Sequence, residues 1–294
     1  MEPIGILKDG QVYDLQTALA LNIQGVEIKA DDSKESLDIL RHSCAHMMAQ
    51  AIKELYPEAK FFVGPVVKEG FYYDFKVESK ISDEDLPTIE KKMKEIADRK
   101  LPITRHETTK EEFFEKFKND ELKQAVLKNI KDDTLTIYKQ GDFEDLCRGP
   151  HLPNTRMIRS FKLTRVAGAY LGGDEKNEMI TRIYGIAFFD KQALFDYTKM
   201  IEEAKKRDHR KLGTELELFT FNDDVGAGLP MWLPNGARLR SKLEHLLYKA
   251  HRVRGYEPVR GPEILKAEMW KISGHYANYK ENMYFTTIDE QEYG

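Results

Sequence analysis

Residues 31–57 read DDSKESLDILRHSCAHMMAQAIKELYP, opening on Asp31-Asp32-Ser33 and stopping at Pro57. A cap-forming start, apolar positions at three- and four-residue steps and a closing proline predict one helix to about Tyr56. Leu37, Leu40, Cys44, Met47, Met48, Ala51 and Leu55 form the stripe that faces a core. At about 100° per residue, His42 and His46 lie roughly 160–200° from the middle of that stripe, beside Ile39 and Ala49. Cys44 is therefore read as a core residue, and the two histidines as facing a second environment. A second pair with the same i,i+4 spacing follows in Cys147-Arg148-Gly149-Pro150-His151, where Gly-Pro sets a turn.

Working outward, Ile4–Leu7 and Val12–Leu15 flank Asp9-Gly10, a hairpin signal, and lead to a short helix and a strand at Val26–Lys29. Phe61 to Phe75 reads as two strands, with turns at Gly64-Pro65 and Glu69-Gly70. Ser82 or Asp83 caps a helix that turns Ile89, Met93, Ile96 and Ala97 inward; another helix covers about Lys110 to Asn129. Strands follow near Leu135–Lys139, Ile158–Leu171 and Met179–Phe189. Helices mixed with aromatic and β-branched strands, without strict βαβ alternation, predict an α+β fold with a largely antiparallel sheet. A charged helix from Asp190 to Leu212, ended by Gly213, reads as a connector. Beyond it, Asn235 caps a helix to about Arg254, and a strand containing Pro258 and Pro262 follows Gly255.

Charged residues make up 33% of the 294 and the net charge is −4, a soluble globular composition. No apolar run reaches the length of a membrane span, and Met1-Glu2-Pro3 does not begin a secretory signal. Two cysteines suit a reducing compartment, so a cytoplasmic location is expected. The acidity is uneven. Leu146 to Gly173 contains no acid but carries Arg148, Arg156, Arg159, Lys162 and Arg165, a composition that fits contact with phosphates. Lys199 to Lys211 is also basic, and there a solvated face explains the charge equally well. A third basic set runs from Arg238 to Arg260.

The quartet His42, His46, Cys147 and His151 has two chemical readings. Imidazole nitrogen and cysteine sulfur are zinc ligands, and four of them close a tetrahedral site. The same groups without metal can hold a water and stabilise charge beside a carbonyl carbon. The plain alternative is that His42 and His46 are hydrogen-bonded interior residues.

Four motifs carry a resemblance beyond spacing. Arg41-His42-Ser43-Cys44-Ala45-His46, Gly64-Pro65-Val66 through Gly70-Phe71-Tyr72-Tyr73-Asp74-Phe75, Asp145-Leu146-Cys147-Arg148-Gly149-Pro150-His151 and Gly168-Ala169-Tyr170 resemble the editing domain of bacterial threonyl-tRNA synthetases. That domain is shared in outline with alanyl-tRNA synthetases and their freestanding deacylase relatives. Asp208-His209-Arg210-Lys211-Leu212-Gly213 is similar to the junction into a class II catalytic domain, and Gly255-Tyr256 through Pro262-Glu263-Ile264-Leu265 is similar to class II motif 1. The resemblance implies a short ubiquitin-like (TGS-type) remnant over residues 1–31, an editing domain over 32–189, a linker helix over 190–212 and an incomplete class II antiparallel-sheet domain over 213–294. It departs from the family in the short N-terminal module and in two further places. Leu171-Gly172 replaces the usual Trp-Arg after Gly-Ala-Tyr, and the match ends at Gly294, before motifs 2 and 3 and the zinc-ligand cysteine.

The resemblance implies a threonine–tRNA ligase as the parent activity, with ATP, Mg2+ and a zinc ion whose ligands lie outside this chain. It implies a homodimer through the motif 1 region, and threonine tRNA as partner. Within this chain it implies hydrolysis of serine mischarged on that tRNA. His42, His46, Lys123, Cys147 and His151 would be catalytic, and Tyr73, Asp145 and Arg148 would contact substrate. A metal-free site is favoured, because four protein ligands would leave zinc no open position. A tRNA-binding module without hydrolysis and a freestanding deacylase are the other readings. Residues 214–294 are expected to lack part of their core.

Overall fold

Asp9 and Gly10 both adopt positive φ, 51° and 78°. That is the conformation a two-residue hairpin needs to match strand twist. In the computed structural model, which describes residues 2–128, 130, 132–226 and 228–294, they join β1 (Pro3–Lys8) to β2 (Gln11–Asp14). Met1 and Asn129, the outer limits of two expected segments, lie outside the described residues. Helix α1 (Leu15–Ala20) and β3 (Val26–Lys29) complete a small antiparallel sheet in the order β2-β1-β3.

Helix α2 (Lys34–Leu55) follows Ser33, as its sequence predicts. It is buried on nearly every side from Ile39 to Ile52, against α3 (Leu86–Asp98) and two strands named below. The histidine face is therefore interior too, and Cys44 is fully buried in the core, as its stripe position requires.

Two further strands, β4 (Lys60–Phe61) and β5 (Val66–Val67), flank β6 (Gly70–Lys76). Ser82 and Asp85 form a capping box ahead of α3, whose Ile89, Met93, Ile96 and Ala97 are buried. Then come β7 (Ile103–Thr109), α4 (Lys110–Lys116), α5 (Glu121–Lys128), β8 (Thr134–Gln140) and β9 (Phe143–Leu146). A long hairpin, β10 (Ser160–Tyr170) and β11 (Met179–Phe188), joins β6 and β4 in one antiparallel sheet, with β5 on β6. Strands β7-β8-β9 form a separate antiparallel sheet. The fold is α+β, with several antiparallel sheets where the sequence suggested one. Helix α2 packs on β6 and β11.

The single helix expected over residues 110–129 is two. The first ends at Lys116 with Phe117 as its cap, and Asp120 starts the second: its Oδ1 accepts from the N–H groups of Leu122 and Lys123, both at 3.1 Å. Lys123, in the first turn of α5, is buried.

The chain divides into the units Met1–Glu203 and Ala204–Gly294. The expected connector is α6 (Lys191–Lys206) followed by α7 (His209–Glu215), because Asp208 caps a new helix. Gly213 lies inside α7, where a Cβ would come 2.4 Å from the Phe219 ring; it serves close packing rather than helix termination. The second unit has paired strands β12 (Phe219–Thr220) and β13 (Met231–Trp232), then α8 (Pro234–Arg252). Pro234 holds the first position of α8, and Asn235 donates to the Leu216 carbonyl instead of capping. The strand expected around Pro258 and Pro262 is absent from the described residues. Helices α9 (Ala267–Ile272) and α10 (His275–Tyr279) and the hairpin β14 (Thr286–Ile288) and β15 (Gln291–Tyr293) close the chain. Among the described residues no helix is long and apolar enough to cross a membrane.

Candidate functional site

The middle of α2 supplies His42 and His46, and the turn after β9 supplies Cys147 and His151. The register of β8 and β9 brings the two together. Tyr138 pairs with Asp145, and the Cys147 N–H donates to the Thr136 carbonyl at 3.0 Å, which holds the turn beside β8. Its far end is tied to α2, where the Leu152 N–H donates to Ser43 Oγ at 2.8 Å. The four candidate ligand atoms lie within 4.8 Å of one another. His42 and His151 stack with ring centroids 4.2 Å apart, and His46 lies 4.3 Å from His151.

Hydrogen bonding fixes two tautomers. His42 Nδ1 sits 3.1 Å from the Pro150 carbonyl oxygen, which can only accept, so Nδ1 carries the proton. Ser43 spends its one proton on the Ile39 carbonyl at 2.9 Å, so at 3.2 Å it must accept from His151 Nδ1. Both Nε2 atoms are left as lone pairs, and both face Cys147 Sγ, at 3.1 and 3.2 Å. Burial makes all three imidazoles uncharged. His42 is pulled down to about 4, opposed in part by the Pro150 hydrogen bond and Asp14, and His46 and His151 fall well below the usual histidine value. Burial pushes the Cys147 thiol up, although the Gly149 N–H at 3.2 Å favours the thiolate. One thiol hydrogen can serve only one of the two Nε2 lone pairs, which leaves the other as a free base.

Beside the quartet lies a buried polar cluster. Asp145 accepts from the Tyr73 hydroxyl, from Lys123 Nζ and from the Leu146 N–H at 2.7 Å. Burial pulls the Lys123 ammonium down to about 8 and pushes the Asp145 carboxyl up. Lys123 is therefore no solvated helix lysine, and its charge is felt by His46 and Cys147. Arg148 is different. Its side chain is 81% exposed and pairs with Asp132 at 3.1 Å, on the surface and away from the cluster.

Two cavities reach the quartet and one reaches the polar cluster beside it. One of about 790 Å³ is lined by Arg41, His42, Lys68, Gly149 and Pro150. Another of about 490 Å³ reaches Lys123 and Asp145, and a third of about 340 Å³ reaches Cys147 and Arg148. Arg41 is buried, donates to the Lys68 carbonyl at 3.3 Å and has no partner for its Nε–H. The arrangement suits a small electrophile: neutral bases, a thiol and a buried lysine around a solvent-reached point.

The sequence reading did not single out Asp14, Ser43 and Tyr138, which hold the site residues. Ser43 lies between the two histidines on α2 but projects from neither pair. Asp14 falls inside the expected strand Val12–Leu15, and Tyr138 inside the expected strand Leu135–Lys139.

A family model described as the threonyl and alanyl tRNA synthetase second additional domain matches residues 135–184, from β8 into β11. The threonine–tRNA ligase of Campylobacter jejuni subsp. jejuni serotype O:6 is 70% identical over 293 residues, covering 100% of this chain and 48% of that protein. The ligase of Campylobacter lari is 75% identical over 264 residues, 90% of this chain and 44% of its own. That of Helicobacter acinonychis is 65% identical over 301 residues, 100% of this chain and 49% of its own. The chain thus spans about half the length of the curated relatives it matches. A solved structure described as the RNA binding domain of threonyl-tRNA synthetase from Cryptosporidium parvum Iowa II is 45% identical over 30% of this chain and 22% of its own, with a TM-score of 0.29.

Proposed function

We propose that this chain, related along its whole length to the threonine–tRNA ligases, carries their proofreading site and hydrolyses serine mischarged on threonine tRNA. The observation that carries the reading is the pair of Nε2 lone pairs converging on Cys147 beside the buried Lys123–Asp145 pair. A pocket selecting threonine rejects an analogue one methyl smaller by only roughly 10–200-fold, so a second, smaller site has work to do. The aminoacyl ester and its ribose enter the cavity at His42, Gly149 and Pro150, where Arg41 in the wall supplies positive charge toward the terminal nucleotide. A water held by His42 and His151 gives a proton to one Nε2 and attacks the ester carbonyl. The carbon–oxygen bond to the ribose breaks, and the ribose oxygen takes back a proton from the imidazolium or from Lys123. Tyr73 and Asp145 hold Lys123 in place.

The donor set also fits a metal: His42, His46, Cys147 and His151 would hold zinc, which would supply Lewis acidity there. Those four ligands fill a tetrahedral site, and on that ground the metal-free reading is favoured. For the whole protein we propose ATP-dependent ligation of threonine to its tRNA, with Mg2+ and a zinc site outside this chain and dimerisation through the region of residues 255–265. We divide the chain as a TGS-type remnant (1–31), an editing domain (32–189), a linker (190–212) and the start of a class II domain (213–294).

The test is serine release from mischarged threonine tRNA by the purified chain, with its metal content measured on the same sample. The parent should release serine, and Lys123→Met and His151→Ala should each slow release by about 10²-fold or more. Binding without release would leave only a tRNA-binding module, and one stoichiometric zinc would overturn the metal-free reading.

A further inference from the structure

Asp14 closes β2 and caps α1, two elements of the N-terminal module. A cap needs one hydrogen bond, here from the Thr17 N–H to Oδ1 at 2.7 Å. Asp14 does more. Its carboxylate is only 2% exposed, and Oδ2 accepts both the Tyr138 hydroxyl at 2.5 Å and the His151 N–H at 3.2 Å. The Tyr138 ring in turn packs 4.5 Å from the His151 ring. Gly149 is shaped to this contact, since a Cβ there would come 2.4 Å from the Tyr138 hydroxyl and 2.9 Å from Asp14 Oδ2. Gln16, two residues on, anchors the same module. Its side-chain amide donates to the Ile103 carbonyl and accepts the Arg105 N–H at 2.7 Å, closing on β7 as a strand would.

We propose that Asp14 is a positioning residue of the hydrolytic centre: the N-terminal module lends a buried carboxylate that fixes His151 by its backbone N–H and through Tyr138. The inference rests on the hydrolase reading above and adds residues 2–31 to the site. Asp14 touches neither substrate nor the attacking water; it acts through His151.

Asp14→Asn separates this role from capping. Asparagine is as good a cap, so Oδ1 keeps Thr17. Its amide hydrogens then meet the His151 N–H, and that bond is lost. In the full chain, with serine-charged threonine tRNA as probe, kcat for serine release should fall about 10- to 100-fold, the range seen when a partner orienting a site residue is removed. KM should stay within about twofold, and the melting midpoint should fall by several degrees at most, because a buried N–H loses its partner. Unchanged kcat, or a kcat loss matched by a rise in KM or accompanied by loss of cooperative unfolding, overturns the proposal. If the parent releases no serine, the hydrolase reading fails, and nitrogen NMR of the histidine rings decides the Asp14 contact separately. The His151 resonances should shift in Asp14→Asn while those of His275 stay, and an unmoved His151 overturns it.

Discussion

His42, His46 and His151 stay uncharged chiefly because burial strips a protonated ring of its solvation, and at His46 and His151 a charge on His42 would add repulsion. This sets the sign of a pH effect. Unfolded, these histidines bind protons near pH 6.5. Folded, His42 holds off until about 4, and burial holds the other two well below their usual value. Their contribution to stability is thus fully present above pH 6.5 and is lost as the pH falls toward 4. The urea midpoint should be lower at pH 5 than at pH 7.5, and His42→Asn should show a smaller drop. Equal midpoints at the two pH values would refute the neutral-imidazole assignment. The residue types of the quartet were legible in the sequence. Their tautomers were not, because these depend on Ser43 and on the Pro150 carbonyl, which become neighbours only after folding.

At the scale of elements, the turn after β9 decides the site. Residue 149 must be glycine for two separate reasons. Its φ is +73°, and a Cβ would strike both Tyr138 and Asp14. Gly10 has a similar φ, +78°, but nothing within 4 Å of a Cβ. Gly149→Ala should therefore destabilise by about 1–3 kcal/mol more than Gly10→Ala, which carries only the backbone strain. Urea unfolding of the two variants makes the comparison, and equal losses would count against the packing argument. Periodicity revealed α2, α3 and the β10–β11 hairpin because each is long and strongly patterned. It missed β7, whose Ile103–Thr109 run is mostly polar, and β9, which has only four residues. Gly141-Asp142, between Gln140 and Phe143, was the available turn signal for β9. The helix read as one over residues 110–129 hid a break, since Asn119 and Asp120 interrupt the apolar pattern too briefly to be decisive.

Across the whole molecule, the two units differ in how they bury apolar surface. The first owns the continuous core around α2. In the second, Leu239, Leu243, Leu246 and Leu247 lie on α8 between 45% and 62% exposed, and Val259 is 92% exposed. A helix whose apolar stripe meets water gains little from burial and opens easily. Limited proteolysis should cut within residues 214–294 before it cuts within 33–190. Equal resistance of the two segments would argue that the α8 face is covered in solution. The sequence by itself determined the α+β class, the α2 stripe, Cys44 as core and the four residue types of the centre, because these follow from local periodicity and motif. Only the tertiary structure decided that Lys123 turns inward to Asp145, that Arg148 turns outward to Asp132, and that Asp14 reaches His151. Those pairings join residues from separate elements, and the burial and hydrogen bonds that select them exist only once the chain has folded.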